Sequence, residues 1–209
     1  MPSDEQPSSL ETATRAYEED LEAVLPYLAD RGIDETAART HRLGYVARPR
    51  VGHEQMVGRL AIPFRTRAGV RTIRFRALDD SQPKYLSLPG DRGRMFNPSA
   101  LFDTDLAAIC EGELDAVVCS SVVGVPAVGV PGVSAWKPHF PRMFAGIPRV
   151  LVVIDHDVKE NGRNPGRELG DRVANALDQA VIITPPEGMD LTDWVLQDGV
   201  EIVRKGMGL

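Results

Sequence analysis

Residues 109–120, ICEGELDAVVCS, and 150–169, VLVVIDHDVKENGRNPGREL, decide the fold. In the first, an apolar run over 106–110 leads straight into Glu111. In the second, Val150 to Ile154 leads straight into Asp155, with Asp157 two residues on. A short, unbroken apolar run bounded by turn-forming residues reads as a strand buried on both faces. Each acid therefore stands where a strand gives way to a loop or helix, and in an open α/β sheet ligands bind at that carboxyl edge. Asp115 lies one helical turn beyond Glu111 and on the same face. Two carboxylates about 4 Å apart repel by roughly 4 kcal/mol at an effective dielectric near 20. Such a cluster calls for protonation or for a cation. A hard divalent ion, Mg²⁺ or Mn²⁺, suits oxygen ligands and phosphate chemistry.

Outward from these two stretches, strands at 106–110, 124–128, 150–154 and 180–184 alternate with helices near 113–120, 136–144, 167–177 and 191–196. That alternation predicts right-handed crossovers and an α/β domain over residues 105–209: a mainly parallel sheet flanked by helices. Asn164 and Pro165 read as N-cap and first residue of the third helix, placing its N-terminus beside the Asp155/Asp157 loop. The segment VGVPAVGVPGVSAW holds no phosphate-binding loop, dinucleotide fingerprint or nucleophile elbow, and its glycines read as turn formers.

The preceding residues, 1–104, read as a small basic α+β subdomain. Residues 1 to about 10 are polar and expected to be disordered. Leu21, Val24, Leu25 and Leu28 give helical spacing to 10–31, interrupted at Pro26 and stopped at Gly32, and Asp34 opens a shorter helix through His41. RLAIPFRTRAGVRTIRFRALDD predicts two strands about an Arg-Ala-Gly turn. Alternation of Arg74 and Arg76 with Ile73, Phe75 and Ala77 puts the two arginines on one face.

The net charge of −6 is unevenly spread: residues 58–94 carry nine Lys/Arg against three acids, leaving −12 on the rest. A basic stretch ahead of an acidic cluster suits a polyanion whose reacting phosphates meet metal. A chain of 209 residues buries enough surface to fold without disulfides. Cys110 and Cys119 lie inside apolar stretches, away from any zinc spacing, and read as core residues of a cytoplasmic protein. Neither a membrane span nor a signal peptide is expected. His41, His53, His139 and His156 each stand alone and read as structural, with His156, between the two aspartates, nearest the acids.

At this point a family enters. EGELDAV resembles the glutamate motif of the TOPRIM domain and VVIDHD its aspartate-x-aspartate motif, shared by bacterial-type primases, topoisomerases, small ribonucleases and recombination mediators. YLADRGIDETAARTHRLGYV, GRLAIPFRTRAGVRTIRFRALDD, PKYLSLP and MFNPSALF resemble, in order, the N-terminal part of the bacterial-type DNA primase catalytic core. The likeness is collinear over about residues 20 to 198. It implies a metal-dependent nucleotidyl transferase that makes RNA primers from NTPs on single-stranded DNA.

By position, Glu111 resembles the family's invariant glutamate, a metal ligand or general acid/base, and Asp115 its companion. Asp155 and Asp157 resemble the metal-binding pair. Lys84 matches the basic residue facing template and nucleotide, with Arg74 and Arg76 as neighbours, and Asp190 and Asp193 resemble the acidic stretch after the last strand. His156 stands where many primases have glycine. No zinc ribbon precedes the core and no helicase domain follows it, so a separate helicase or zinc-ribbon protein is the expected partner, as in a phage-like replication module. Metal-dependent strand cleavage and a non-catalytic nucleic-acid-binding accessory role remain the alternatives.

Overall fold

A computed structural model describes residues 5–131, 135–156 and 164–209. The chain forms two compact units that divide between Arg92 and Gly93. This is upstream of the 104/105 boundary expected from sequence. Phe96 explains the difference: it exchanges backbone hydrogen bonds with Gly129 (2.8 and 3.2 Å), and Asn97 Nδ2 donates to the Ala127 carbonyl (2.9 Å). Residues 93–104 are thereby stitched to the second unit's sheet.

The first unit opens with helix α1 (Glu5–Glu19), a 3-10 turn (Leu21–Val24), α2 (Leu25–Ala29) and α3 (Glu35–Thr40). Helix α1 begins well inside the stretch expected to be disordered. Its polar composition hides an apolar stripe: Ala13, Thr14 and Tyr17 are buried and Leu10 packs beside them, the i, i+3, i+4, i+7 spacing of a core-facing helix. Pro26 sits in the first turn of α2, where its missing N–H costs nothing, so the helix splits there. Asp34 caps α3 by accepting from the Ala37 N–H at 2.7 Å.

Strands β1 (Gly44–Tyr45), β2 (Leu60–Thr66), β3 (Gly69–Arg76) and β4 (Tyr85–Ser87) then form an antiparallel sheet in that order. Ile73, Phe75 and Val70 point to α1, and with Tyr17, Met56 and Val46 they make this unit's core. Arg42 pins α1 to the loop before β1, donating to Glu18 at 2.8 and 2.7 Å and to Glu11 at 2.7 Å.

In the second unit β5 (Leu106–Cys110), β6 (Ala127–Gly129), β7 (Arg149–Val153) and β8 (Ala180–Ile183) form a wholly parallel sheet in the order β6-β5-β7-β8. Helices α4 (Glu113–Val118), α5 (Pro165–Ala174), α6 (Leu191–Asp198) and α7 (Val200–Gly206) flank it. Ile109, Val150, Val152 and Ile154 bury against Leu169 and Val173 of α5 and against Trp136, Phe140 and Phe144. The segment 136–144 holds only a 3-10 turn (Phe140–Phe144) rather than the expected helix, because Pro138 and Pro141 remove backbone donors. Strand β6 starts later than expected, and Gly129 is no turn former: a Cβ there would lie 3.0 Å from the Gly112 carbonyl and 3.2 Å from Phe96 Cβ.

Candidate active site

Strand order places a topological switch point between β5 and β7. The first strand is followed by β6 on one side, the chain crosses back to β7 on the other, and the loops diverge to leave a crevice. Glu111 and Asp155 are the residues at that spot. Cys110 pairs with Val153 in register, which brings the chain after β5 beside the chain after β7. The Asp155 backbone N–H donates to Glu111 Oε1 at 3.2 Å. Gly112, not Glu111, is the N-cap of α4. The glutamate is turned across the sheet edge rather than toward its own helix.

The first turn of α5 closes on this pair. A Cβ at Gly166 would lie 2.3 Å from Glu111 Oε1 and 2.5 Å from the Asp155 carbonyl, so only glycine fits there. Asn164 Oδ1 accepts from the Arg167 N–H at 2.9 Å and Pro165 follows it, as the sequence predicts. His156 holds the Asp155 loop from the other side. Its N–H donates to the Met189 carbonyl (3.1 Å), its carbonyl accepts from the Gly188 N–H (3.1 Å), and Nδ1 lies 3.2 Å from the Pro185 carbonyl. A carbonyl only accepts, so Nδ1 carries the proton. His156 thus joins the loops after β7 and β8, the structural role expected of it.

Asp115, in the first turn of α4, faces α6. Its Oδ1 accepts from Thr192 Oγ1 at 2.7 Å, and its Oδ2 lies over Gly112, 2.7 Å from where a Cβ would be. The expectation that Asp115 shares a helical face with Glu111 is replaced by this geometry, since Glu111 precedes the helix. Asp190 is the N-cap of α6, accepting from the Asp193 N–H at 2.8 Å. Burial, and then the negative charge of Asp115, push its carboxyl up to about 6. Cys110, wholly buried, is raised well above the usual thiol range by its hydrogen bond with Cys119 and by burial, with Asp115 and Asp155 adding negative potential. Both cysteines belong to the core.

The candidate donors are all carboxylates, and burial together with the charge of Asp115 already raises Asp190, which suits a hard divalent cation. Among the described residues no three His, Cys, Asp or Glu side chains converge as a metal-holding group. Asp157, expected as the second of the metal-binding pair, lies outside the described residues.

In the first unit, Arg74 and Arg76 fall on one face of β3, alternating with buried Ile73 and Phe75. Both stand against Tyr85 of β4: the Arg74 guanidinium lies 4.1 Å from its ring centroid and that of Arg76 5.3 Å. Lys84, just before β4, is exposed. Sequence reasoning left Asp190 and Thr192 unconnected to Asp115 and passed over Tyr27 and Tyr85 as partners of Arg76. The sequence placed a helix near 191–196, but no local pattern announces the contact of Thr192 with Asp115, 77 residues away.

Comparison with known proteins accords with this arrangement. The Toprim domain family matches residues 106–201. Gene 57 protein of Mycobacterium phage D29 is 42% identical over 149 residues, spanning 68% of this chain and 93% of that protein. A DNA primase domain from Pseudomonas aeruginosa superposes with a TM-score of 0.77 at 21% identity, over 97% of this chain and 78% of that one. The DnaG primase catalytic domain bound to ssDNA superposes with a TM-score of 0.69 at 17% identity, over 99% and 82%. The chain is a relative of that phage protein, its residues 106–201 belong to the Toprim domain family, and its fold is that of the bacterial DNA primase catalytic core.

Proposed function

We propose that this chain is a primase-type nucleotidyl transferase that joins ribonucleotides on a single-stranded DNA template in the cytoplasm. The observation that carries the reading is the meeting of Glu111 with the Asp155 backbone at the switch point of a parallel sheet, with a second acidic pair, Asp115 and Asp190, at the starts of α4 and α6. Nucleotidyl transfer forms a bond between a 3′-oxygen and an α-phosphorus and releases pyrophosphate, so negative charge accumulates on the phosphoryl oxygens. Mg²⁺ or Mn²⁺ is assigned to Glu111, Asp155 and Asp157, with Asp115 beside them. Held by these residues, the ion would supply charge neutralisation and a lowered pKa at the attacking hydroxyl. Glu111 is further assigned as general acid/base, and Gly166 and His156 hold the two acid-bearing loops in place.

The basic face of the first unit, with Arg74, Arg76 and Lys84, is assigned to the nucleic-acid backbone and the incoming NTP. Template choice is assigned to a separate helicase or zinc-ribbon protein. Incubation with single-stranded DNA, NTPs and Mg²⁺ or Mn²⁺ tests the reading by its products. New oligoribonucleotides are expected. Cut strands would make the acids a nuclease site, and binding without chemistry would make the chain an accessory protein.

A further inference from the structure

Five side chains of the first unit form one ladder. The Arg31 guanidinium lies over the Tyr27 ring, 4.1 Å from its centroid. The Tyr27 hydroxyl accepts from Arg76 Nε at 2.7 Å, and a second Arg76 nitrogen donates to the Tyr85 hydroxyl. The Tyr85 ring carries the Arg74 guanidinium at 4.1 Å. Tyr27 belongs to α2 and Tyr85 to β4, so Arg76 on β3 ties a helix to the edge strand through two phenols. Its planar fork reaches two acceptors at fixed angles, which an ammonium group does not do. Arg76 is half-buried, and burial works against its charge, but the two phenolic oxygens more than offset that and hold its pKa above the ordinary value.

Two neighbouring arginines on one strand face thus do different work. Arg76 commits two of its five N–H donors to phenols inside the fold. Arg74 lies over the Tyr85 ring, so its guanidinium is held near one place before any ligand arrives, and less freedom is lost on binding. We propose that Arg76 is a positioning residue rather than a phosphate contact: by bridging Tyr27 and Tyr85 it fixes the ring on which Arg74 rides, and Arg74 meets the backbone of single-stranded nucleic acid. This rests on the reading of the basic face given above and narrows it: Arg76 serves that face by placing Arg74, not by touching phosphate itself.

The full-length chain and a fluorescent deoxythymidine oligonucleotide, titrated over a range of salt, test it. Arg74→Ala should lower the log-log salt slope by about 0.7, the loss of one phosphate contact to a single strand. Tyr27→Phe removes only the hydroxyl that receives Arg76. It should weaken binding roughly two- to fivefold, the scale of a half-exposed cation–π alignment, with the slope unchanged. Arg76→Lys should match Tyr27→Phe, and the double variant should be no weaker than either single one, because both break the same bridge. If Arg76→Lys keeps wild-type affinity, or if Arg76→Ala lowers the slope as far as Arg74→Ala while Tyr27→Phe changes nothing, Arg76 is a direct contact and the proposal fails. Nitrogen-detected NMR reads the bridge without nucleic acid: the Arg76 Nε–H should exchange slowly in the wild type and rapidly in Tyr27→Phe. A fast-exchanging Nε–H in the wild type overturns the bridge. A wild-type chain that binds no oligonucleotide overturns the reading of the basic face while leaving the bridge measurable.

Discussion

Asp190 gives the most quantitative handle on the acidic cluster. Its carboxyl is raised to about 6 by burial and by Asp115, against an ordinary value of 3.8. Each pK unit corresponds to about 1.4 kcal/mol, so the whole shift is worth about 3 kcal/mol; the side chain is only partly buried, and solvent screening reduces this to about 1–2 kcal/mol. A raised folded-state pKa means that the folded chain holds more protons than the unfolded chain between about pH 4 and 6. Stability therefore falls as pH rises through that window, and the full penalty is present at pH 7.5. Asp190→Asn removes the charge while keeping a good N-cap for α6. In EDTA at pH 7.5 the variant should melt about 2–8 °C above the wild type, using the Tm scaling for a chain of this size. At pH 4 the two should melt together. Adding Mg²⁺ at pH 7.5 should narrow the gap, because a cation among the carboxylates relieves the same repulsion. An asparagine variant that melts lower at pH 7.5, or a gap of equal size at pH 4, would show that Asp190 is not under strain from Asp115.

Asp155→Asn and Asp157→Asn should each abolish metal-dependent activity while the melting temperature in EDTA stays level or rises, and loss of folding or wild-type product yield from both would sink the metal assignment. Gly166→Ala pushes a methyl group onto Glu111 and the Asp155 carbonyl. It should cost about 1–3 kcal/mol by urea unfolding and reduce turnover with it, since overpacking displaces the acids. Alanine at Arg74, Arg76 and Lys84 together should lower the salt slope of single-strand binding by about 1.4, for two phosphate contacts rather than three. An unchanged slope would make that face solvated surface only.

The sheet was legible in the sequence because parallel strands are buried on both faces: 106–110 and 150–154 read as unbroken apolar runs, within a residue of the observed strands, and the acids mark where burial ends. The β2–β3 hairpin was equally plain, from its alternation and from Gly69 after the turn. Local pattern misled where chemistry and periodicity disagreed. Residues 5–9 are polar in composition and read as disordered, yet α1 starts at Glu5, ahead of the helix read from Leu10, whose stripe of Leu10, Ala13, Thr14 and Tyr17 packs on the sheet. The short helix α7 went unread, since Gly199, with φ of +81°, breaks it from α6 and leaves only two turns of pattern. Contacts set by tertiary structure had no local signature at all. Thr192 reaching Asp115, and Tyr27 reaching Arg76 across 49 residues, follow from how helices dock on sheets.

The central claim is that Glu111 belongs to a catalytic site, and Glu111→Gln tests it most directly. Glutamine keeps an oxygen to accept the Asp155 N–H, so the loop contact survives while charge and basicity are lost. Primer synthesis, single-stranded DNA affinity and thermal unfolding are measured on one preparation of each protein. The account predicts intact binding, a melting temperature in EDTA that is level or higher, and turnover reduced by at least about 100-fold, the lower end of general acid/base contributions. Near-normal synthesis with a lowered melting temperature would make Glu111 a structural brace between β5 and β7 and would contradict the account.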